Sequence, residues 1–440
     1  MSTPASPSDR LATKIMIGLG VGAAVGLLGR GAIGAIPSLE NQALWIAGEV
    51  LEPFGQIFLR LLFFAVVPLV FGSLALGITQ LGRLDRMGPL ATRTFALFAL
   101  NMAVGVALGL LFMNLIRPGA SIDESTRTRM IADQGAALSQ LHTTAAASRG
   151  FSFAMAVDMF LPRNLLGAVT SFQILPLIVF ALLVGAVGTQ LPPSRRLAWQ
   201  QALETINELM TRLVQWALRL APFAVAALFA SAILRYGPSL LGALLLFALG
   251  VAAIIALHLF GTMSLLLRLF TRRPVGSFFR AIRVILVTAF STSSSNATLP
   301  TALHVTREHL GVSPGTAGFV LPVGATLNMS GTALYEGCVV LFVAQVYGIE
   351  LALGQQATLL LLSVLSAVAV AGIPGGSLPL IMGLLTTFGV PAEGIALVLG
   401  IDRLLDMART ALNVGADVVT ACIVDDSLRP PSASTSERPQ

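Results

Sequence analysis

Apolar runs recur along the chain at about 16–36, 58–81, 94–116, 165–190, 213–235 and 239–270. A crossing takes about 20 apolar residues, so each run is read as a membrane-spanning helix. The 440 residues leave room for roughly eight to ten such crossings. The first run, Met16 to Ile36, is longer than the apolar stretch of a secretory signal and lacks a convincing small-residue cleavage site, so it is read as a first span. From about Gly276 the pattern changes. Six consecutive polar residues, Ser291 to Asn296, precede Leu299 and Pro300. Asn328 to Thr332 break the middle of the next run, and Gly372 to Ser377 break the third. The last run carries Asp402, Asp406, Arg409, Asn413 and Asp417. Unsatisfied backbone in hydrocarbon is costly, so helices broken at that depth must be buried in protein or line a cavity. Paired interruptions of this kind point to a transporter's binding site. The order also repeats, a polar hairpin then a polar span, and again a Pro-Gly hairpin then a polar span, which predicts a pair of structural repeats.

Composition narrows the class. Of the residues 55% are hydrophobic and 11% charged, with mean hydropathy +0.84, whereas soluble domains carry about 25% charged residues. Soluble enzymes, nucleic-acid-binding proteins and disordered regulators are excluded. The net charge of +6 does not change that. The basic residues, all arginine except Lys14, gather in short connections: Arg83, Arg86 and Arg93, then Arg195 and Arg196, then Arg272, Arg273, Arg280 and Arg283. This is the positive-inside pattern, and it places those connections on the cytoplasmic side. The segment from Arg117 to Arg149, mixed in charge and rich in Ser, Thr and Ala, reads as an external loop. The Pro/Ser-rich tail from Ser427 to Gln440 (427–440) reads as disordered. Cys338 and Cys422 lie inside apolar runs, so neither a disulfide framework nor a zinc spacing exists, and both are read as small core residues.

Asp402, Asp406, Arg409, Asn413 and Asp417 fall at steps of 4, 3, 4 and 4 and share one helical face, with Thr410 beside Arg409. Four uncompensated charges in a span would cost on the order of 10 kcal/mol. The stripe must therefore face a polar cavity, pair internally or bind something. A self-neutralising network that only holds helices together is the plainer reading, but three carboxylates against one arginine leave a surplus that asks for cations. One guanidinium at mid-membrane suits a substrate carboxylate, held bidentately, and an adjacent carboxylate suits an ammonium. Together they describe a site for an acidic amino acid. Carbonyls freed at Asn328 to Thr332 can ligate a hard cation such as Na⁺. Ser294 and Ser295 lie where a hairpin tip presents N–H groups and hydroxyls to an anion, or form a polar turn with no ligand. Glu336, four residues beyond Thr332, is either a proton carrier or a structural partner for another buried polar group. His258, His304 and His309 lack a partner at ligand spacing and are read as span-end or loop residues.

The chain resembles glutamate-transporter homologues of the dicarboxylate/amino acid:cation symporter family. Four motifs carry the match: Ser293–Pro300 (SSSNATLP), Gly324–Tyr335 (GATLNMSGTALY), Gly372–Gly376 (GIPGG) and Asp402–Asp417 (DRLLDMARTALNVGAD), with Phe58–Leu69 (FLRLLFFAVVPL) a weaker fifth. The resemblance implies an all-α polytopic membrane protein of eight transmembrane helices and two re-entrant helical hairpins, with inverted repeats, working as a homotrimer by an elevator mechanism. Residues 1–235 would be mainly scaffold and trimerisation helices, except the third helix at about 90–116. Residues 236–426 would form the transport domain: hairpin 1 at about 276–312, broken helix 7 at 314–347, hairpin 2 at 352–393 and helix 8 at 394–425. By the same resemblance Arg409 would hold a side-chain carboxylate and Asp406 the amino group. Asn413 and the backbone at Ser294 and Ser295 would hold the α-carboxylate, Thr332 and Thr410 would complete the pocket, and Asp402 would support Arg409. Ile373, Pro374, Gly375 and Ser377 would form the gate tip. One sodium site would use carbonyls of Gly324, Asn328 and Asn413 with the Asp417 carboxylate, and a second Thr326, Met329 and carbonyls of hairpin 2. The family's usual aspartate in its NMDGT motif is Ser330 here, and Phe98, Asn101 and Met102 stand where a tyrosine and a Thr-Ser pair complete a third sodium site. All four changes imply that this third site is missing or weakened, while Glu336 matches the acidic residue of proton-coupled relatives.

The expected function is a symporter for L-aspartate or L-glutamate driven by Na⁺, H⁺ or both, without a cofactor. It would be a multi-pass protein of the plasma membrane, the inner membrane in a bacterium, with the lipid bilayer and no nucleic acid among its partners. A C4-dicarboxylate symporter is the nearest alternative. A dicarboxylate brings no ammonium, so a buried Asp406 would be a liability to it. A neutral amino acid would leave Arg409 unpaired. An anion channel and a ligand sensor are alternatives of other classes. Nothing suggests an enzyme, since no nucleophile–base pair, metal cluster or phosphate loop appears.

Overall fold

The computed structural model describes residues 7–80, 88–133, 157, 160–170, 174–370 and 375–428. Arg83 and Arg86, residues 134–149 of the expected external loop, Ile373 and Pro374, and the tail beyond Leu428 lie outside these residues. Among the described residues the protein is all-helical, as a bilayer demands of a chain whose backbone must satisfy itself. The principal helices are α1 (Pro7–Ala35), α2 (Glu52–Gln80), α3 (Gly88–Ile116), α4 (Ile174–Gly188), α5 (Pro193–Tyr236), α6 (Ser239–Ala256), α7 (Met263–Phe270), α8 (Val275–Thr292), α9 (Ser295–Glu308), α10 (Pro314–Leu327), α11 (Ser330–Val346), α12 (Leu353–Val368), α13 (Leu378–Thr387) and α14 (Ile395–Leu428). Among the described residues, eight helical segments are long and apolar enough to cross a membrane.

Some boundaries differ from those the hydropathy pattern predicts. Within the run at 165–190 the described residues form Leu165–Thr170 and α4, neither of which is among the eight, whereas α8 is. Helix α5 begins twenty residues before its apolar run, so Arg195 and Arg196 lie in its first turns rather than in a connection. At 44 residues it is roughly 66 Å long, about twice the thickness of a hydrocarbon core. Ser427 and Leu428, expected in the tail, are the last turn of α14. Ser427 is held there, since its carbonyl and hydroxyl accept from Arg93 at 2.6 and 2.9 Å.

Helix α5 packs along α1 and α2, and α2 along α4. The α1–α5 approach is close because Gly18, Gly22 and Gly26 repeat every fourth residue. A Cβ on Gly22 would come within 2.5 Å of the Ala226 carbonyl oxygen, the small-residue packing typical of membrane helices. Helix α3 packs instead along α11, and α8, α10 and α11 pack along α14. Amides fasten α3 to that second group: Asn114 and Gln356 of α12 exchange hydrogen bonds of 2.6 and 3.2 Å, and Gln345 of α11 donates to the Met113 carbonyl at 2.8 Å. At the C-terminal end of α14 the Arg273 Nε and Nη2 donate to the two oxygens of Asp426 at 2.9 and 2.8 Å, which pushes the guanidinium pKa up. Asp425 accepts from the backbone and hydroxyl of Ser313, the N-cap of α10. Helices α11 and α14 are largely enclosed by protein, whereas half of α10 is buried and its Thr326 is exposed.

Candidate functional site

Helix α14 carries the site's charges. Arg409, 1% exposed, donates from Nη2 to Asp406 Oδ1 at 2.8 Å, and its Nη1 pairs with Asp402 Oδ1 at 3.1 Å. Its guanidinium carbon lies 4.0 Å from the centre of the Tyr335 ring, a cation–π contact from α11. The second oxygen of Asp406 accepts from Arg403 Nη1 at 3.4 Å and from the Gly375 amide at 3.3 Å. Arg403 was absent from the stripe derived from the sequence. It stands three residues before Asp406, on an adjoining face, and its long side chain folds back to reach the carboxylate. The count of three carboxylates against one arginine is therefore corrected: Asp402 and Asp406 meet two guanidiniums, and Asp417 stands apart.

Two broken segments and a hairpin tip close around this helix. Helices α8 and α9 form a hairpin that turns at Ser293, whose φ of 49° is left-handed, and the Ser294 hydroxyl caps α9 by accepting from Ala297 N at 3.2 Å. Between α10 and α11, Asn328 and Met329 leave helical geometry. The freed Gly331 amide donates to Asn413 Oδ1 at 2.7 Å, and Asn413 Nδ2 donates to Thr332 Oγ1 at 3.2 Å. A Cβ on Gly331 would stand 2.7 Å from the Arg409 carbonyl oxygen, so only glycine lets α11 start flush against α14. At the tip before α13, Gly375 adopts φ 72°, which turns its amide to Asp406.

A cleft of about 270 Å³ opens between these segments, lined by Ser293, Ser295, Met329, Thr332, Val370, Gly376, Ser377, Asp406, Thr410 and Asn413. Of the expected substrate residues it gathers Ser295, Thr332, Ser377, Asp406, Thr410 and Asn413. Gly375 lies next door, against Asp406. Ser294 spends its hydroxyl on the helix cap, and Arg409 sits behind the cleft wall. Ser293, Met329, Val370 and Gly376 complete the lining. On the far side of Asp406 a second cavity of about 400 Å³ is lined by Arg403 and Asp402 together with apolar residues of α1, α2 and α5, among them Phe58 and Leu218.

Among the expected cation residues, Asp417 is 2% exposed and accepts from Asn328 Nδ2 at 2.9 Å, with the Gly324 backbone against its carboxylate. Asn413 Nδ2 also reaches the Met329 sulfur at 3.3 Å, and the Thr326 hydroxyl donates to the Val323 carbonyl at 3.0 Å. Glu336 is fully buried and faces Ser366 of α12 without a hydrogen bond of good geometry. The residues expected at an altered third site are all buried. Asn101 and Ser330 are buried with unbonded side chains, and Phe98 and Met102 are buried beside them on α3. His258 is not the span-end residue the sequence suggested. It lies fully buried in the π-helical turn Leu257–Thr262, and its Nε2 would stand 3.0 Å from a Cβ on Gly105 of α3. A histidine in the middle of an otherwise apolar run was the available signal. Cys338 and Cys422 are both buried, as expected.

Residues 11–427 match the model of the sodium:dicarboxylate symporter family. The chain is 30% identical over 380 residues, 86% of each chain, to a proton/glutamate-aspartate symporter of Escherichia coli (strain K12). It is 31% identical over 421 residues, 94% of this chain and 92% of the other, to a proton/sodium-glutamate symport protein of Bacillus subtilis (strain 168). A C4-dicarboxylate transport protein of Solibacter usitatus (strain Ellin6076) is 30% identical over 378 residues, 86% of each chain. These are transport proteins and not enzymes. With the match running from α1 to the end of α14, the chain belongs to the sodium:dicarboxylate symporter family.

Proposed function

We propose that this multi-pass membrane protein is a secondary active symporter that imports an acidic amino acid, L-aspartate or L-glutamate, with Na⁺, H⁺ or both across a bacterial inner membrane. The observation that carries the reading is the Asp406–Arg409 pair, joined at 2.8 Å and set behind a small polar cleft bounded by two helix breaks. The carboxylate and the guanidinium match an ammonium and a carboxylate on one substrate. The named activities of the relatives support the same class. Asp417 with the carbonyls of Gly324, Asn328 and Asn413 would hold one sodium, and Thr326 and Met329 would help hold a second. Glu336 would carry a proton, and the altered set Phe98, Asn101, Met102 and Ser330 would leave the third sodium unbound.

In the same reading α8–α9 and α12–α13 are re-entrant hairpins, each followed by a polar span, in two inverted repeats. Helices α1, α2, α4 and α5 are the trimeric scaffold, and α3 moves with α6 to α14 as an elevator. In support of this division, the most extensive packing falls within each set, α5 along α1 and α2 and α3 along α11, while α14 also meets α1 and α5. The test is uptake of radiolabelled L-aspartate into proteoliposomes, with sodium and pH gradients imposed one at a time and unlabelled succinate as competitor. Uptake driven by either gradient is expected. Absence of both L-aspartate and L-glutamate uptake under either gradient would refute the reading.

A further inference from the structure

We propose that Arg403 is an internal counter-ion of Asp406, standing in for a substrate ammonium so that the same cleft accepts dicarboxylates as well as acidic amino acids. This rests on the transport reading above and names a determinant of its specificity. The two oxygens of Asp406 are used differently. Oδ1 is bound tightly by Arg409 at 2.8 Å, whereas Oδ2 takes two longer contacts, Arg403 at 3.4 Å and the Gly375 amide at 3.3 Å. Contacts of that length are the weaker ones, and the ones a competing cation displaces first.

The approach direction matters as much as the distance. Asp406 lines both the polar cleft and the second cavity, and so forms the wall between them. Arg403 lines only the second cavity, opposite the cleft. It neutralises the carboxylate without filling the substrate's space. Asp402, Asp406, Arg403 and Arg409 sum to zero formal charge. An amino acid puts its ammonium on Asp406 and releases Arg403. A dicarboxylate brings no cation, and Arg403 stays. Without Arg403, a dicarboxylate would meet a buried carboxylate balanced only through Arg409, which already serves Asp402. The liability that Asp406 presents to dicarboxylates is thereby removed by a residue outside the cleft.

The experiment measures displacement of radiolabelled L-aspartate by unlabelled L-aspartate and by succinate, on purified wild type, Arg403→Gln, Arg403→Lys and the double variant Arg403→Gln/Asp406→Asn. The wild type is expected to bind both ligands. Arg403→Gln should weaken succinate relative to L-aspartate by about tenfold or more, the loss of one charge-assisted contact. Arg403→Lys should restore most of the ratio. The double variant, read with labelled succinate, should recover succinate affinity because the carboxylate needing neutralisation is gone. A purely structural role would weaken both ligands alike, and neither Lys nor the second substitution would change their ratio. Equal losses in Arg403→Gln, or a wild type that binds L-aspartate but no succinate, would overturn the proposal. Should Arg403→Gln not fold, an Arg403→Lys protein with an altered ratio, or a double variant blind to succinate, overturns it equally. A wild type that binds neither ligand would instead defeat the transport reading itself.

Discussion

Replacing Arg409 by cysteine separates ligand recognition from structural support. The side chain is 1% exposed, bonded to Asp406 at 2.8 Å, paired with Asp402 at 3.1 Å and stacked on Tyr335 at 4.0 Å. Arg409→Cys leaves Asp402 and Asp406 against Arg403 alone, a site with one net negative charge. Two losses follow. Removing one partner of a buried ion pair costs about 3–5 kcal/mol of stability, which lowers the melting temperature in detergent. A charge-assisted hydrogen bond to substrate is worth about 1.5–3 kcal/mol, or roughly 10- to 150-fold in Kd. Repulsion between the site's negative charge and the substrate carboxylate adds to that loss. Neutral amino acids, which would strand the wild-type guanidinium, should gain access in the variant. The assay is equilibrium binding of L-aspartate and L-serine to monodisperse protein, with the melting temperature measured on the same sample. An L-aspartate Kd within twofold of wild type would refute the carboxylate role, whatever the change in stability.

Three further outcomes are expected. Glu336→Gln should flatten the pH profile of uptake while leaving sodium-driven binding in place, and an unchanged profile would move the proton elsewhere. Asp417→Asn removes the carboxylate that accepts from Asn328, so the sodium concentration needed for half-maximal L-aspartate binding should rise about tenfold or more, by the same charge-assisted scale; an unaltered sodium dependence would reject the cation role. Outside the spans, hydrogen bonds from Ser125, at 2.6 Å, and then from the backbone and hydroxyl of Thr126 hold the Asp123 carboxyl below the usual carboxylate range. Its contribution is therefore present above an ordinary aspartate pKa of about 3.9 and is lost only as pH falls through the lowered value. Amide exchange across Glu124–Asp133 should stay protected down to about pH 4 and speed up at neutral pH in Asp123→Ala. Equal exchange in the two proteins would show that the cap contributes nothing.

The sequence by itself determined the membrane class, the polar face of the last helix and the depth of its interruptions. Those properties are local: 20-residue apolar runs, a helical period, and proline, glycine and polar clusters where a span should be plain. It also placed Asp402, Asp406, Arg409, Asn413 and Asp417 on one face, because residues three and four apart on a helix cannot do otherwise. What those residues touch was decided only by packing between helices distant in the chain. Arg403, three residues before Asp406 at the edge of the stripe, was within reach of the same spacing argument, but only the structure shows its side chain paired with that carboxylate. The amide of Gly375 reaches the same carboxylate across 31 residues. His258 read as an isolated span-end residue until α3 was seen to cover it. Helix ends shifted for the same kind of reason: α5 runs on beyond its apolar stretch, and α14 keeps its last turn because Arg93 holds Ser427. A periodic pattern specifies which face is polar, whereas the charge balance of that face depends on which other helices, by their volume and hydrogen bonds, come to lie against it.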